Sequence, residues 1–90
     1  MANYTEIESL DILIRAVKEY LEELQENHRV LVDAANACDA AMGSDAIVQK
    51  HLARLNAALP ELDKATRITS NLLESLIAER QQAVQILEEA

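Results

Sequence analysis

The fold is decided by residues 7–42, which read IESLDILIRAVKEYLEELQENHRVLVDAANACDAAM. Apolar side chains recur in this stretch at alternating spacings of three and four residues, and the alternation returns over residues 48–87. A repeat of about 3.5 residues places these side chains on one stripe of an α-helix, the pattern of a coiled-coil seam. The predicted seam comprises Ile7, Leu10, Ile14, Val17, Leu21, Leu24, Leu31, Leu52, Leu55, Leu59, Leu62, Leu73 and Leu76.

The composition also predicts an all-α chain. Its 90 residues are 50% apolar, yet they include one glycine, one proline and no tryptophan or phenylalanine. Alanine, leucine and glutamate lose little side-chain freedom in a helix, whereas a sandwich or barrel needs a turn about every 8–12 residues. A single glycine cannot build a glycine-rich phosphate loop, which excludes the nucleotide-binding folds that depend on one.

A central turn separates the two stripes. Gly43 follows the first stripe, and glycine readily adopts the left-handed conformation that ends a helix. Ser44 or Asp45 can then cap the next helix. The sequence therefore predicts one domain folded as an antiparallel two-helix hairpin, with a helix over 5–42, a turn at Gly43 and Ser44, and a helix over 45–89.

Two further residues bear on the helices. Thr5 is followed by Glu8 in the pattern of a capping box, so Thr5 is the predicted N-cap of the first helix. Pro60 lies inside the second stripe, where a proline removes a backbone hydrogen bond and costs about 3 kcal/mol in an exposed helix. Because Leu59 is a poor N-cap, we expect a kinked continuous helix rather than a split that would give a three-helix bundle.

The position of the glycine predicts how the helices align. Folding about it places residue i near residue 86 − i. This alignment sets Arg80 opposite Glu6 and Glu8, where an ion pair would fix the register. It also sets Thr66 opposite Tyr20, whose hydroxyl would hydrogen-bond the threonine inside the seam.

Both helices carry more apolar surface than one seam can bury. A chain of this length hides only about 60% of its unfolded surface even when compact, so the leftover side chains predict an interface. We expect the hairpin to form a four-helix bundle by pairing with a second copy or with another helical protein. Charges beside the seam have both signs over the whole chain, which leaves both pairings open. The candidate partner surface comprises Ile12, Leu13, Tyr20, Val30, Val32, Leu72, Ile77 and Ile86.

No set of side chains predicts catalysis. His28 lies on the seam opposite Ala58, where a hydrogen-bonded or half-exposed histidine that tunes the register is the ordinary interpretation, and a ligand or pH switch is the functional one. His51 lies about 10 Å from it along the hairpin, too far to share a metal ion. Cys38 lies on the apolar stripe with no adjacent base and is interpreted as a small core residue. We therefore expect no metal, no cofactor and no enzymatic activity.

The charge balance argues against anionic partners. Sixteen acids and eight bases give a net charge of -8, and the excess lies mainly in residues 1–42. Such a field repels phosphate, so we expect neither nucleic acid nor a membrane surface as a partner. No apolar run reaches the roughly 20 residues of a spanning helix. The start MANYTE lacks signal-peptide features, so we expect synthesis in the cytoplasm, with export without a cleavable signal left open.

The layout resembles the WXG100 (ESAT-6-like) family and the small helical proteins that accompany LXG toxins in type VII secretion. Gly43 matches the glycine of the family's Trp-x-Gly turn, within the segment Ala41-Met42-Gly43. Ala41 stands where the family has tryptophan, and the C-terminal segment VQILEEA lacks the family's Tyr-x-x-x-Asp signal. The resemblance implies a hairpin that pairs with itself or with the helical domain of a larger secreted protein.

Two functional hypotheses follow. The first is a non-enzymatic helical interaction module, which in its WXG100-like version is a substrate or adaptor of type VII secretion. The alternative is a cytoplasmic helical chaperone or antitoxin-like regulatory protein that holds its partner inside the cell. Both need a protein-binding surface, so the structure of the leftover apolar surface is the feature on which both depend.

Overall fold

A computed structural model describes residues 3–42 and 45–89 of the chain. Two α-helices make up nearly all of this part: α1 spans Tyr4–Met42 and α2 spans Ala46–Glu89. The described residues contain no strand, and the two helices pack as an all-α hairpin, which confirms the predicted fold class. The predicted turn at Gly43 and Ser44 lies outside the described residues, and assembly into a four-helix bundle stays a prediction.

The helices pack in two compact units. The terminal unit comprises residues 1–22 and 68–90, and the central unit comprises residues 23–67. Each unit contains one segment of α1 and one segment of α2. Each therefore has its own portion of the seam and its own outer surfaces.

The predicted seam forms the inner surface of both units, because every seam residue named above is buried or half-buried. Leu76 and Ala83 form the core of the terminal unit, and Leu24 and Ala35 form that of the central unit. No large side chain among the described residues is fully buried. This is the expected result for two helices that each have one neighbour, since such a layer leaves its outer sides uncovered.

The cap of α1 differs from the prediction. The Asn3 side-chain oxygen accepts a hydrogen bond from the Glu6 backbone N–H at 2.8 Å, and the Asn3 carbonyl accepts one from the Ile7 N–H at 3.2 Å. This is the geometry of an N-cap residue. Thr5 already lies within the first turn of α1, so its prediction as the cap was wrong. Asn3, two residues before the predicted cap, provides the acceptors for the free backbone N–H groups of the first turn.

Asp45 caps α2, which resolves the choice between Ser44 and Asp45. Its carboxylate oxygen Oδ1 accepts hydrogen bonds from the backbone N–H groups of Ile47 at 2.8 Å and Val48 at 3.3 Å. The negative charge also lies at the positive end of the helix dipole. These contacts fix the start of α2 at Ala46, one residue later than predicted.

Pro60 lies inside α2, and the helix continues through it. The prediction of a continuous helix rather than a split is therefore confirmed, while the predicted kink stays a prediction. Pro60 and Asn56 are both exposed. Because proline has no N–H to donate to the Asn56 carbonyl, an exposed site lets water replace the missing hydrogen bond.

The helices align differently from the prediction. In the terminal unit the Arg80 guanidinium Nε donates to the Asp11 carboxylate, and in the central unit His28 lines a groove together with Asp63. Both pairs place residue i near residue 91 − i, so the predicted alignment of 86 − i was wrong. The predicted position of Arg80 opposite Glu6 and Glu8 fails for the same reason.

Seam packing explains the observed alignment. Near 90 − i every position of the three-and-four repeat over residues 7–42 lies at the level of a position of the repeat over residues 48–87, as Ile14 does with Leu76. At 86 − i, Ile14 would instead lie level with Leu72, which is outside the seam. Apolar burial on matched seam positions favours the first alignment over one centred on the glycine.

Candidate protein-interaction surface

Exposed large apolar side chains are concentrated in the terminal unit. Of ten such residues in the described part of the chain, eight belong to the terminal unit and two to the central unit. A cluster of exposed apolar residues in one region marks an interaction site more strongly than single residues scattered over a surface. The eight are Tyr4, Ile12, Leu13, Tyr20, Ile68, Leu72, Ile77 and Ile86, and the two are Val30 and Ile47.

Most residues of the predicted partner surface are exposed. Seven of its eight residues are exposed, from Ile77 at 37% to Ile12 at 69%. Val32 is half-buried instead. Val30 and Val32 belong to the central unit, and the other six belong to the terminal unit. The role of the eight residues in binding stays a prediction.

Heptad positions show which exposed residues share a side. With Ile7 at position a of α1 and Leu73 at position a of α2, positions g and c lie on one side of an antiparallel pair. Positions e and b lie on the other side, and position f faces away from the partner helix. We define the apolar face by the exposed large residues at g and c of the terminal unit, which are Leu13, Tyr20, Ile68, Leu72 and Ile86.

The alignment of the helices brings members of the apolar face together. Leu72 of α2 lies level with Tyr20 of α1, and Ile68 lies one turn before Leu72 on α2. Leu13 lies one heptad from Tyr20 on the same side of α1. Ile12 has position f and faces away, although it is the more exposed neighbour of Leu13. The sequence-based prediction did not include Ile68, which its c position beside the g stripe could have revealed.

Acidic residues surround the apolar face. Glu6 and Glu79 have position g, and Glu89 has position c. Among the described residues of this side of the terminal unit, no lysine or arginine occurs. All three bases of the unit lie elsewhere: Arg15 at b, Lys18 at e and Arg80 on the seam.

Arg80 is held away from the apolar face. Its guanidinium donates to the carboxylate of Asp11, which has position e on the opposite side. Both side chains are partly exposed, at 39% and 45%. An ion pair of this exposure contributes about 0–1 kcal/mol, so its main effect is to orient the arginine.

The groove that His28 and Asp63 line lies in the central unit. It is lined by Gln25, His28, Asp63 and Thr66 and has a volume of about 240 Å³. Two of these side chains carry groups that bind metals, which is fewer than a structural or catalytic site needs. His28 was predicted to face Ala58, and its place beside Asp63 follows from the corrected alignment.

Thr66 makes a local hydrogen bond. Its hydroxyl donates to the Leu62 carbonyl of the same helix at 2.9 Å. Back-bonding of this kind satisfies a threonine on a helix without a partner from another element. The observed alignment sets Tyr20 level with Asn71 and Leu72, so the predicted position of Thr66 opposite Tyr20 was wrong. The Tyr20 side chain is 52% exposed.

An exposed charge network lies on α1 in the central unit. The Arg29 guanidinium donates to the Glu26 carboxylate at 2.6 Å and to the Asp33 carboxylate at 2.9 Å. The hydrogen bond and the charge of Arg29 lower the pKa of Glu26, and Glu26 followed by Asp33 raises the pKa of Arg29. Surface pairs at these spacings support a helix locally and form no pocket.

Groups that could carry chemistry do not converge. Cys38 is a free, half-buried thiol on the seam, and His51 is exposed. Over residues 3–42 and 45–89, no three histidine, cysteine or acidic side chains come close enough to hold a metal ion. In the same part of the chain, neither helix is apolar over a length that would cross a bilayer.

Comparisons with known protein families, with curated proteins and with solved structures return no match to this chain. The candidate site is the apolar face, which is identified from the exposure and the heptad positions of its residues.

Proposed function

We propose that this chain is a non-enzymatic protein-interaction module that binds a helical protein through the apolar face of its terminal unit. The observation that carries the proposal is that five of the eight exposed large apolar residues of that unit lie on one side of the helix pair. A four-helix bundle would cover the face, because two further helices can pack against the side that the hairpin leaves open.

The energetics indicate what the partner must provide. Complete burial of a leucine or isoleucine side chain contributes about 1.5–3 kcal/mol, so covering these half-exposed residues gives about 1 kcal/mol each. Five residues then give about 5 kcal/mol, against an association cost of about 4–15 kcal/mol. The partner must therefore bring an apolar stripe of its own, as a helical protein does.

We further propose that the module acts in type VII secretion as a WXG100-like substrate or adaptor. Two matched helices and a glycine at the centre of the chain support this version. In this version the chain is an adaptor that pairs with a larger secreted protein and is exported with it.

The test compares tagged wild-type protein with the double variant Leu13→Gln and Leu72→Gln in the cells that produce it. We expect a helical protein to co-purify with the wild type and to be lost from the double variant. The matched control is Ile47→Gln, which changes an equally apolar residue of the central unit and should retain the partner. Equal recovery of partners by the double variant and the wild type would contradict the proposal.

The same experiment separates the secretion role from the alternative. Detection of the protein and its partner together in the culture medium supports the adaptor version. Retention of both in the cytoplasm, with the partner protected from proteolysis only when this chain is present, supports a chaperone or antitoxin-like role.

A further inference from the structure

We propose that the apolar face selects an amphipathic helical partner whose apolar stripe is bordered by lysine or arginine, and that it rejects a second copy of this chain. The inference rests on the proposed function and adds the chemistry of the partner. It depends on the signs of the charges around the face, which differ from the mixture found over the whole chain.

The charges around the face have one sign. Glu6, Glu79 and Glu89 lie on the same side as the apolar residues, and the described part of that side includes no base. The terminal unit as a whole has nine acids and three bases, a net charge of -6, whereas the central unit has seven acids and five bases, a net charge of -2. The three glutamates on the side of the apolar face account for half of the net charge of the terminal unit, and no base offsets them there.

A second copy cannot avoid these acids. Leu13 lies level with Glu79, and Ile86 lies level with Glu6. A two-fold pairing with the levels matched packs α1 on α2 of the second copy, which places Glu79 over Leu13 and Glu6 over Ile86. A pairing with the levels reversed packs each helix on its own copy, which places Glu79 against Glu79 and Glu6 near Tyr20. Like charges in contact, or a carboxylate buried on an apolar surface, oppose both arrangements.

The bases of the terminal unit cannot relieve the repulsion between two apolar faces. Arg80 is bound to Asp11 on the opposite side, and Arg15 and Lys18 lie on that side as well. Two apolar faces in contact therefore bring no lysine or arginine to the three glutamates, whereas a partner of different sequence can supply them. Such a partner would pair its bases with the three glutamates while its apolar stripe covers the face, and the complementary charges would select it over other helices.

A charge-reversed copy of the protein is a direct probe of this inference. The variant carries Glu6→Lys, Glu79→Lys and Glu89→Lys, which converts the apolar face into the basic-bordered surface that the partner should have. We expect wild type alone and variant alone to sediment as monomers at micromolar concentration. An equimolar mixture should form a heterodimer that binds about tenfold or more tightly than either self-pair. Raising the salt from about 0.05 M to about 0.5 M should reduce the difference in affinity between the heterodimer and the self-pairs.

The control variant carries the same charge change on the opposite side. It has Glu8→Lys, Glu74→Lys and Glu88→Lys, all at exposed b positions of the terminal unit. Its mixture with wild type should stay monomeric. Thermal unfolding followed by circular dichroism checks that both triple variants are folded before association is compared.

The outcomes separate the two proposals. If wild type self-associates as tightly as the mixture, and Leu72→Gln abolishes that dimer, the face is an interaction surface but the partner chemistry is wrong. If the mixture of wild type and charge-reversed variant stays monomeric, or if the control variant binds wild type equally well, the proposed basic border of the partner is overturned. If a dimer forms and Leu72→Gln leaves it unchanged in every mixture, the apolar face is not the binding surface and the proposed function fails with it.

Discussion

The terminal and central units are built on one heptad pattern but differ in what flanks the seam. In the central unit the g positions are Asn27, Ala34, His51, Ala58 and Ala65, small or polar residues, and ten of the 15 alanines of the chain lie in this unit. In the terminal unit the g positions include two leucines, a tyrosine and an isoleucine. The seam therefore specifies the hairpin, whereas the positions that flank it determine which part of the hairpin has exposed apolar surface left for a partner.

The largest expected effect tests whether seam and face are separate in the terminal unit. Leu76 is 6% exposed and Leu72 is 48% exposed. We expect Leu76→Ala to lower the free energy of unfolding by about 2–5 kcal/mol, because it leaves a cavity in the core. Leu72→Ala should change it by about 0.5 kcal/mol or less. Urea denaturation measures both values, and similar losses for the two variants would show that the face is part of the core.

The next effect concerns the central unit. Pro60→Ala restores a backbone N–H and removes the clash of the proline ring with the preceding turn, so we expect a gain of about 1–3 kcal/mol in the free energy of unfolding. Pro60 is exposed, so the substitution removes no core packing. A loss of stability in urea denaturation would show that Pro60 is needed for packing in this unit.

The caps provide a smaller effect, one in each unit. Asn3→Ala in the terminal unit and Asp45→Ala in the central unit should each cost about 1 kcal/mol, because each leaves helix N–H groups without an acceptor. Thr5→Ala should cost nothing and should raise the stability by at most a few tenths of a kcal/mol, because Thr5 is an exposed helical position and alanine has the higher helix propensity. Thermal unfolding of the three variants measures the differences, and a larger cost for Thr5→Ala than for Asn3→Ala would restore the predicted capping box.

The smallest effect is the pH response of the surface network in the central unit. The pKa of Glu26 is below its ordinary value of 4.5 because Arg29 bonds and attracts the carboxylate. A depressed folded-state pKa means that the stabilisation is present above pH 4.5 and is lost as the pH falls through the folded-state value. In an NMR titration, Arg29→Met should return the Glu26 pKa toward 4.5. An unchanged Glu26 pKa would show that the pair does not persist in solution.

The seam and the hairpin could be predicted from sequence because apolar periodicity is a local signal. Every predicted seam residue is buried or half-buried, from Ile7 to Leu76. The alignment could not be obtained from the glycine, because packing between helices, and not the centre of the turn, determines which levels meet. Pairing seam positions with seam positions would have given the observed alignment to within one residue.

The candidate surface was predicted only in part, for a related physical reason. Apolar residues outside the seam were recognised, but residues such as Ile12 and Leu13 are adjacent in sequence and face different sides of the hairpin. Their grouping needs the alignment of both helices. The single sign of the charges around the face emerged only when Glu6 and Glu79 were placed on one side together.

The most direct test of the central claim is methyl NMR of the wild-type chain mixed with its charge-reversed copy. Isotope-labelled wild type reports each leucine, isoleucine and valine methyl group separately. We predict that the methyl signals of Leu13, Leu72 and Ile86 shift on mixing, while those of Ile47 and Val30 in the central unit do not. Shifts confined to Ile47 and Val30, or equal over both units, would contradict the assignment of the interaction surface to the terminal unit.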